Sequence, residues 1–138
     1  MKKIIGFLAI ILGTAVGVAA QQVKHAPPID GYKYIKIDDA DHNFGDITYG
    51  TAVEYPVKMV NISSDSVRLT NVVVSCGCTT PEYTKGVYAP GDTITMKVGF
   101  NGHADGNFNK TLSLLFEAPE GQFVKILRFK GKGIVKNN

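Results

Sequence analysis

The sequence predicts an all-β fold: an immunoglobulin-like β-sandwich of about seven strands, preceded by a signal peptide. Short apolar segments alternate with period two, and turn residues separate them every ~8–12 residues. No amphipathic helical pattern of about ten residues follows residue 20. The chain lacks tryptophan and its two cysteines are one residue apart. This excludes the antibody pattern, in which two distant cysteines join the sheets.

Four strands are expected in the first half of the domain. Residues 34–37 alternate between apolar and charged, and residues 44–47 form a second short segment. Residues 53–59 alternate with period two, which is typical of a half-buried strand. Pro56 lacks a backbone donor and therefore indicates an edge strand or a bulge. The β-branched, apolar residues 67–74 predict a more buried strand that leads into the cysteines.

Three strands are expected in the second half. Proline precedes glycine at Pro90 and Gly91, which favours a type II turn. Residues 94–100, 112–116 and 123–129 then alternate as strands, with turn residues between them.

The N-terminus has the pattern of a secretory signal peptide. Lys2 and Lys3 precede an uncharged apolar stretch at 4–18, and small residues lead to Ala20. The stretch is short for a spanning helix, which needs ~20 residues, so a cleaved signal is favoured over a membrane anchor. The predicted organisation is a signal peptide at 1–20, a flexible leader at 21–31 and one sandwich domain at 32–135, with no transmembrane segment after cleavage. Such a signal predicts a periplasmic or secreted protein of a Gram-negative cell envelope.

The charge of the mature chain gives no support for nucleic-acid binding. Loss of Lys2 and Lys3 removes two positive charges from a formal net charge of +3, and nucleic-acid sites need clustered positive charge. The remaining basic run is expected on a solvated strand, where lysines also discourage edge-to-edge pairing. It consists of Lys125, Arg128, Lys130, Lys132 and Lys136.

The most distinctive chemistry lies in the run Ser-Cys-Gly-Cys-Thr-Thr-Pro at 75–81. Cys76 and Cys78 support three hypotheses: an oxidised staple, a redox pair, or two thiolates that hold Cu(I). Export to an oxidising compartment favours the disulfide, and Gly77 gives the backbone freedom to close so small a ring. A bridge over so short a loop adds little stability, because the entropic gain grows with loop length.

The candidate site residues follow from this run. Histidines that could complete a copper site are His42 and His103, with His25 in the leader, but no metal or other cofactor is expected. The candidate binding loop consists of Ser75, Gly77, Thr79, Thr80 and Pro81 beside the cysteine pair.

Other polar residues predict less specific roles. Asp38, Asp39 and Asp41 lie on one loop and are expected to form a turn or, as the alternative, a calcium site. Ser66 and Thr93 each lie between an aspartate and an aliphatic residue, which resembles an O-glycosylation signal of some Gram-negative envelopes. No catalytic residues are predicted.

The order of motifs resembles the envelope-protein family known as domain of unknown function 1573. The matching motifs are Phe-Gly-Asp-Ile at 44–47, the cysteine run at 75–81 and Ala-Pro-Gly-Asp at 89–92, and the resemblance extends over 37–133. It implies an exported immunoglobulin-like β-sandwich and no catalytic residues.

Together these observations predict a non-enzymatic module that binds or scaffolds an envelope protein or glycan through a sheet edge or the cysteine-bearing end. The alternative is a periplasmic thiol-redox or Cu(I)-binding protein that uses Cys76 and Cys78.

Overall fold

The structure, a computed structural model, describes residues 29–137, so the predicted signal peptide and leader residues 21–28 lie outside the described part. The described residues form two packed β-sheets, which confirms the predicted all-β sandwich. A short 3₁₀-helix, Gly31–Lys33, precedes nine strands. The strands are β1 (Ile35–Ile37), β2 (Asp41–Thr48), β3 (Val53–Asn61), β4 (Val67–Val74), β5 (Thr79–Glu82), β6 (Gly86–Tyr88), β7 (Thr93–Phe100), β8 (Gly106–Ala118) and β9 (Gly121–Ile134).

The strands divide into a four-stranded sheet and a five-stranded sheet. The four-stranded sheet has the order β1-β3-β7-β5, and the five-stranded sheet has the order β2-β9-β8-β4-β6. Neighbouring strands are antiparallel except β2 and β9, which pair in parallel. The long β8–β9 hairpin lies at the centre of the larger sheet.

Two strands, β5 and β6, exceed the predicted number of about seven. β6 has three residues and β5 has four, of which Pro81 is one. Segments this short carry no clear period-two pattern. They become strands because β7 offers backbone partners to β5 and β4 offers them to β6.

The segment Phe-Gly-Asp-Ile forms a bulge in β2. The pairing of β2 with β9 shifts register between Asn43 and Asp46, and Gly45 has a φ of 67°. Side chains rarely adopt this left-handed conformation, so the bulge favours glycine. The Gly45 N–H donates to Asn43 Oδ1 at 2.9 Å. The bulge leaves Ile47 buried and Phe44 packed against the core.

Pro56 lies where β3 is locally an edge. β3 has neighbours on both sides, but β1 pairs only with residues 59–61. The N–H of Lys58 points to the β1 side, where it donates to Asp38 Oδ1 at 2.9 Å. Alternation along the strand puts the Pro56 nitrogen on that side too, beyond the end of β1. The proline therefore removes no ladder hydrogen bond, which confirms the edge position for this half of β3.

The predicted turn at 89–92 is also confirmed. The Asp92 N–H donates to the Ala89 carbonyl at 3.0 Å, and Gly91 has a φ of 84°, as a type II turn requires.

The core fills the space between the sheets with the inward residues of the alternating strands. Phe100, Phe116 and Phe129 are the largest of its almost fully buried side chains. The other core residues are Tyr34, Ile35, Ile47, Tyr55, Val57, Met59, Val67, Leu69, Ile94, Met96, Val98, Phe108, Leu112, Leu114, Phe123 and Leu127. Ile29 packs against this core, so core contacts begin before residue 32.

Asn61 is a buried polar residue that joins three segments at one end of the sandwich. Its Nδ2 donates to the carbonyls of Asp65 (2.8 Å) and Tyr88 (3.1 Å). Its Oδ1 accepts from the Ser63 N–H and hydroxyl. Every polar atom of this fully buried side chain has a partner, as burial of an amide requires.

We predict that Gly133→Ala strongly destabilises the domain. A Cβ at Gly133 would overlap the carbonyl oxygen of Ala104, and backbone cannot yield as a flexible side chain can. We expect a loss of about 2 kcal/mol or more in the free energy of unfolding, measured by chemical denaturation. The matched control is Gly77→Ala, where a Cβ would meet nothing within 4 Å. Equal stability of the two variants would contradict this packing.

Candidate functional site

The cysteine pair lies where the chain crosses from the five-stranded sheet to the four-stranded sheet. β4 ends at Val74 and β5 begins at Thr79. The Cα atoms of Cys76 and Cys78 are 5.3 Å apart, and the two sulfur atoms are at disulfide distance. This separation is within the range that a disulfide permits. A bond between the two sulfur atoms would therefore constrain the backbone of the short connection at 75–78.

Both ends of this crossing are anchored by hydrogen bonds. The Ser75 N–H donates to the Thr111 carbonyl at 3.0 Å, and Ser75 Oγ accepts from the Thr111 N–H at 3.1 Å. At the other end the Cys78 carbonyl accepts from the Asn101 N–H at 3.1 Å. The cysteines are thus held against both sheets.

The fold partly covers the two cysteines. Both cysteines are half-buried, and Cys78 packs against the core. The buried Thr79 hydroxyl is 3.7 Å from Cys76 Sγ and 3.9 Å from Cys78 Sγ. Among residues 29–137 no other side chain hydrogen-bonds to either sulfur. An activating base or cation, which lowers a thiol pKa in redox proteins, is absent from those contacts.

The candidate binding loop is only partly a loop. Thr79, Thr80 and Pro81 belong to β5 and pair with Phe100, Gly99 and Val98 of β7. Ser75 and Gly77 remain exposed outside the strands. Gly77 has no positive φ, so the cysteines reach disulfide distance without the special backbone freedom expected of that glycine.

The predicted histidine candidates make other contacts. His42 Nδ1 lies 2.6 Å from Asp39 Oδ2, and the imidazole stacks on Tyr55 at 4.0 Å between ring centroids. His103 packs edge-on against Tyr49 at 5.5 Å. His25 lies outside the described residues. Within 29–137 no group of three or more His, Cys, Asp or Glu side chains is arranged to hold a metal ion.

The three aspartates of the 38–41 loop each have a different partner. Asp38 accepts from the Lys58 N–H, Asp39 contacts His42, and Asp41 lies 3.1 Å from Lys130 Nζ. Their carboxylates therefore contact three different parts of the fold and do not converge on one point.

Both predicted modification residues are accessible. Ser66 precedes β4 and Thr93 begins β7, and each is exposed. Their glycosylation stays a prediction.

A surface that the sequence did not predict lies on the outer side of the five-stranded sheet. Val73, Val124 and Ile126 are 49%, 54% and 41% exposed, and half-buried Leu115 lies directly opposite Val124. Val73 and Ile126 both flank Ser113 on the strand between them. We call these four aliphatic residues the apolar face.

The outer side of the four-stranded sheet is charged instead. Lys97 Nζ lies 3.4 Å from Glu54 Oε2 and 3.1 Å from Glu82 Oε2. The hydrogen bonds that the Lys97 ammonium donates to Glu82 and Glu54 raise its pKa. The contrast between the two sheets makes the apolar face the distinctive surface of the domain.

Beside the apolar face, the first half of β9 has no strand on one side. β2 pairs with β9 only from Arg128 onward. A groove of about 480 Å³ lies here between β9 and β1, and we call it the β9 groove. Lys125 lines it and is only 7% exposed. This corrects the prediction of a wholly solvated basic run, because β9 turns Lys125 inward with Phe123 and Leu127.

A signal for this groove was present in the sequence. Lys125 occupies an inward position in the alternation of Phe123, Leu127 and Phe129, and a lysine is almost never fully buried without a partner. Burial lowers the pKa of its ammonium, and the nearby Asp30 acts in the opposite direction. The Nζ atom lies 3.4 Å from the centroid of the Tyr32 ring, a cation–π contact that stabilises the charge.

Comparison with solved structures shows the same fold at low sequence identity. The PapD-like domain 7 of human CEP192 has a TM-score of 0.64 and 10% identity, covering 91% of this chain and 99% of that chain. The Vibrio cholerae VesB protease has a TM-score of 0.64 and 14% identity over 73% of this chain, but this is only 32% of the protease. The CsuC–CsuE chaperone–tip adhesion subunit complex of Acinetobacter baumannii has a TM-score of 0.51 and 10% identity, with coverage of 72% and 56%.

A search of curated proteins finds no match to the sequence. Residues 29–137 contain no helix with the length and hydropathy needed to span a membrane. A family model, described as a protein of unknown function (DUF1573), matches residues 35–132. The match includes the bulge at Gly45, the cysteine crossing and the Pro90–Gly91 turn, and the chain therefore belongs to the DUF1573 family.

Proposed function

We propose that this chain is an exported, non-enzymatic β-sandwich module that binds a protein partner in the cell envelope. Export rests on the signal pattern at 1–20. The absence of catalysis rests on the sequence, which offers no recognisable nucleophile, phosphate or metal motif.

The observation that carries the proposal is the apolar face. Four aliphatic side chains are adjacent there on three neighbouring strands, whereas the outer side of the other sheet carries an ion-pair network. Contiguous exposed apolar surface, in contrast to scattered apolar residues, marks sites of protein association. A structure with a similar fold is a protein complex: CsuC–CsuE is a chaperone bound to an adhesion subunit.

We predict that a photo-crosslinking amino acid at Leu115 captures a protein partner in cells that make this protein naturally. The same group at Thr95, exposed on the outer side of the four-stranded sheet, serves as the matched control and is expected to capture none. After purification of the partner, Leu115→Glu is expected to weaken its binding at least about tenfold, because a buried unpaired charge is costly at an apolar interface. Equal capture from both positions, or unchanged affinity of Leu115→Glu, would contradict the proposal.

The alternative function is a thiol-redox or Cu(I)-binding protein. One observation favours it: the two half-buried sulfurs lie at disulfide distance beside the exposed Gly77, where a thiol or a soft metal ion could approach. Within residues 29–137 the sulfur atoms hydrogen-bond only to the Thr79 hydroxyl and to no basic side chain, which counts against an activated thiol.

The double substitution of Cys76 and Cys78 by serine separates the two functions. For a staple that closes so small a loop, we expect a loss of about 1–2 kcal/mol in the free energy of unfolding and unchanged binding of the crosslinked partner. The measurements are chemical denaturation and partner affinity. Cu(I) uptake or thiol–disulfide exchange by the wild-type protein, abolished in either single serine variant, would favour the alternative.

A further inference from the structure

The first half of β9 presents unpaired backbone groups at a sheet edge. The Arg128 N–H donates to the Ala40 carbonyl at 2.8 Å, so it points away from β8. Because backbone direction alternates along a strand, the N–H and C=O groups of Val124 and Ile126 point to the same side. β2 does not extend to them, and within residues 29–137 neither backbone has a hydrogen-bond partner on that side. Such an edge is a template for an added strand.

The β9 groove gives an added strand a place for its side chains. The groove is bounded on one side by β1 and the 3₁₀-helix and on the other by β9. Its apolar lining includes Ile35, Ile37, Ile62 and the ring of Tyr32. An extended segment on the β9 edge would direct alternate side chains into this groove and the others towards the apolar face.

The charged residues that line the groove indicate which side chains an added segment would carry. Lys36, Lys125 and Arg128 line it, with Asp41 as its acidic residue. Asp41 is already paired with Lys130, whereas the three cations form no salt bridge among the described residues. The groove therefore has an excess of positive charge that a segment with acidic side chains would neutralise.

Lys125 also protects the edge from unspecific strand addition. An inward-pointing charged residue in an edge strand discourages pairing with an apolar segment, because the ammonium would lose its remaining contact with water. A carboxylate directed into the groove would instead give this nearly buried ammonium a hydrogen-bonded partner. The same residue thus rejects apolar strands and accepts acidic ones.

We propose that the β9 groove binds an extended acidic segment of a partner protein as an added β-strand on β9, with a carboxylate directed towards Lys125. This inference rests on the proposed binding function and names its mode and the chemistry of the partner. Other occupants fit the charge less well. The leader at 21–28 contains Lys24 and no acidic residue, and a second copy of this edge would bring like charges together.

The experiment selects peptides from a random displayed library on the mature chain. We expect the enriched sequences to alternate β-branched residues with a central aspartate or glutamate, and the best of them is then synthesised for titration. Ile126→Pro removes an outward N–H without removing a bond to β8, and it should weaken binding about tenfold. Ile126→Thr keeps the N–H and the branched Cβ, and it should change affinity much less.

A charge reversal tests the role of the cations. Lys125→Glu, and the exposed Lys36→Glu in case the buried change prevents folding, should shift the selected peptides from acidic to basic. Lys132→Glu is the matched control, because Lys132 is exposed on the part of β9 that β2 covers, and it should leave the selection acidic.

The outcomes separate the inference from the proposed function. No enrichment of acidic extended peptides, or equal effects of the proline and threonine variants, overturns the inference, as does dimerisation of the protein through this edge. If Leu115→Glu weakens the crosslinked partner but Ile126→Pro does not, the binding function stands and the β9 groove is not its site. If neither variant affects that partner, both fail.

Discussion

The change of sheet at residues 38–40 is the constraint on which the rest of the structure depends. β1 pairs with β3 in the four-stranded sheet, and three residues later β2 pairs with β9 in the other. Hydrogen bonds fix both sides of the change: Asp38 bonds the backbone of Lys58, and Ala40 accepts from Arg128. Asp39 positions His42 on Tyr55, so an aromatic stack joins the two sheets at the same place. Residues 38–42 thereby hold the two sheets together at the edge formed by β1 and β2.

The same change of sheet divides β9 into a half that β2 covers and a half that it leaves open. From Arg128 onward β2 covers its edge, and before Arg128 the edge is open. The open half carries Val124 and Ile126 of the apolar face together with the inward Lys125, so an exposed edge, apolar surface and a cation without a salt bridge among residues 29–137 coincide. The cysteine pair lies at another crossing between the sheets, where backbone hydrogen bonds to Thr111 and Asn101 hold the flanking residues.

The sequence predicted the sandwich because alternation and turn chemistry are local. The buried residues of β3, β7 and β9 were predicted by the alternation of apolar and polar residues. The turn at Gly91 was predicted by the proline that precedes the glycine. Long-range pairing is not local, so the parallel partnership of β2 with β9 and the short strands β5 and β6 were missed. The cysteine pair was visible as a motif, but its geometry depends on contacts with Thr111 and Asn101. The inward position of Lys125 is visible in the alternation of β9, but the groove itself depends on packing of Lys125 against Tyr32 and Gly31, which no strand pattern contains.

The open edge of β9 is the feature on which the proposed binding mode depends most directly, and amide hydrogen exchange of a chain that begins at residue 21 tests it. We expect the amides of Val124 and Ile126 to exchange rapidly, because they face the open side. The amides of Lys125 and Leu127 face β8 and should exchange orders of magnitude more slowly, as core strands do. Equal, strong protection of all four amides would show that the edge is already covered and would contradict the account.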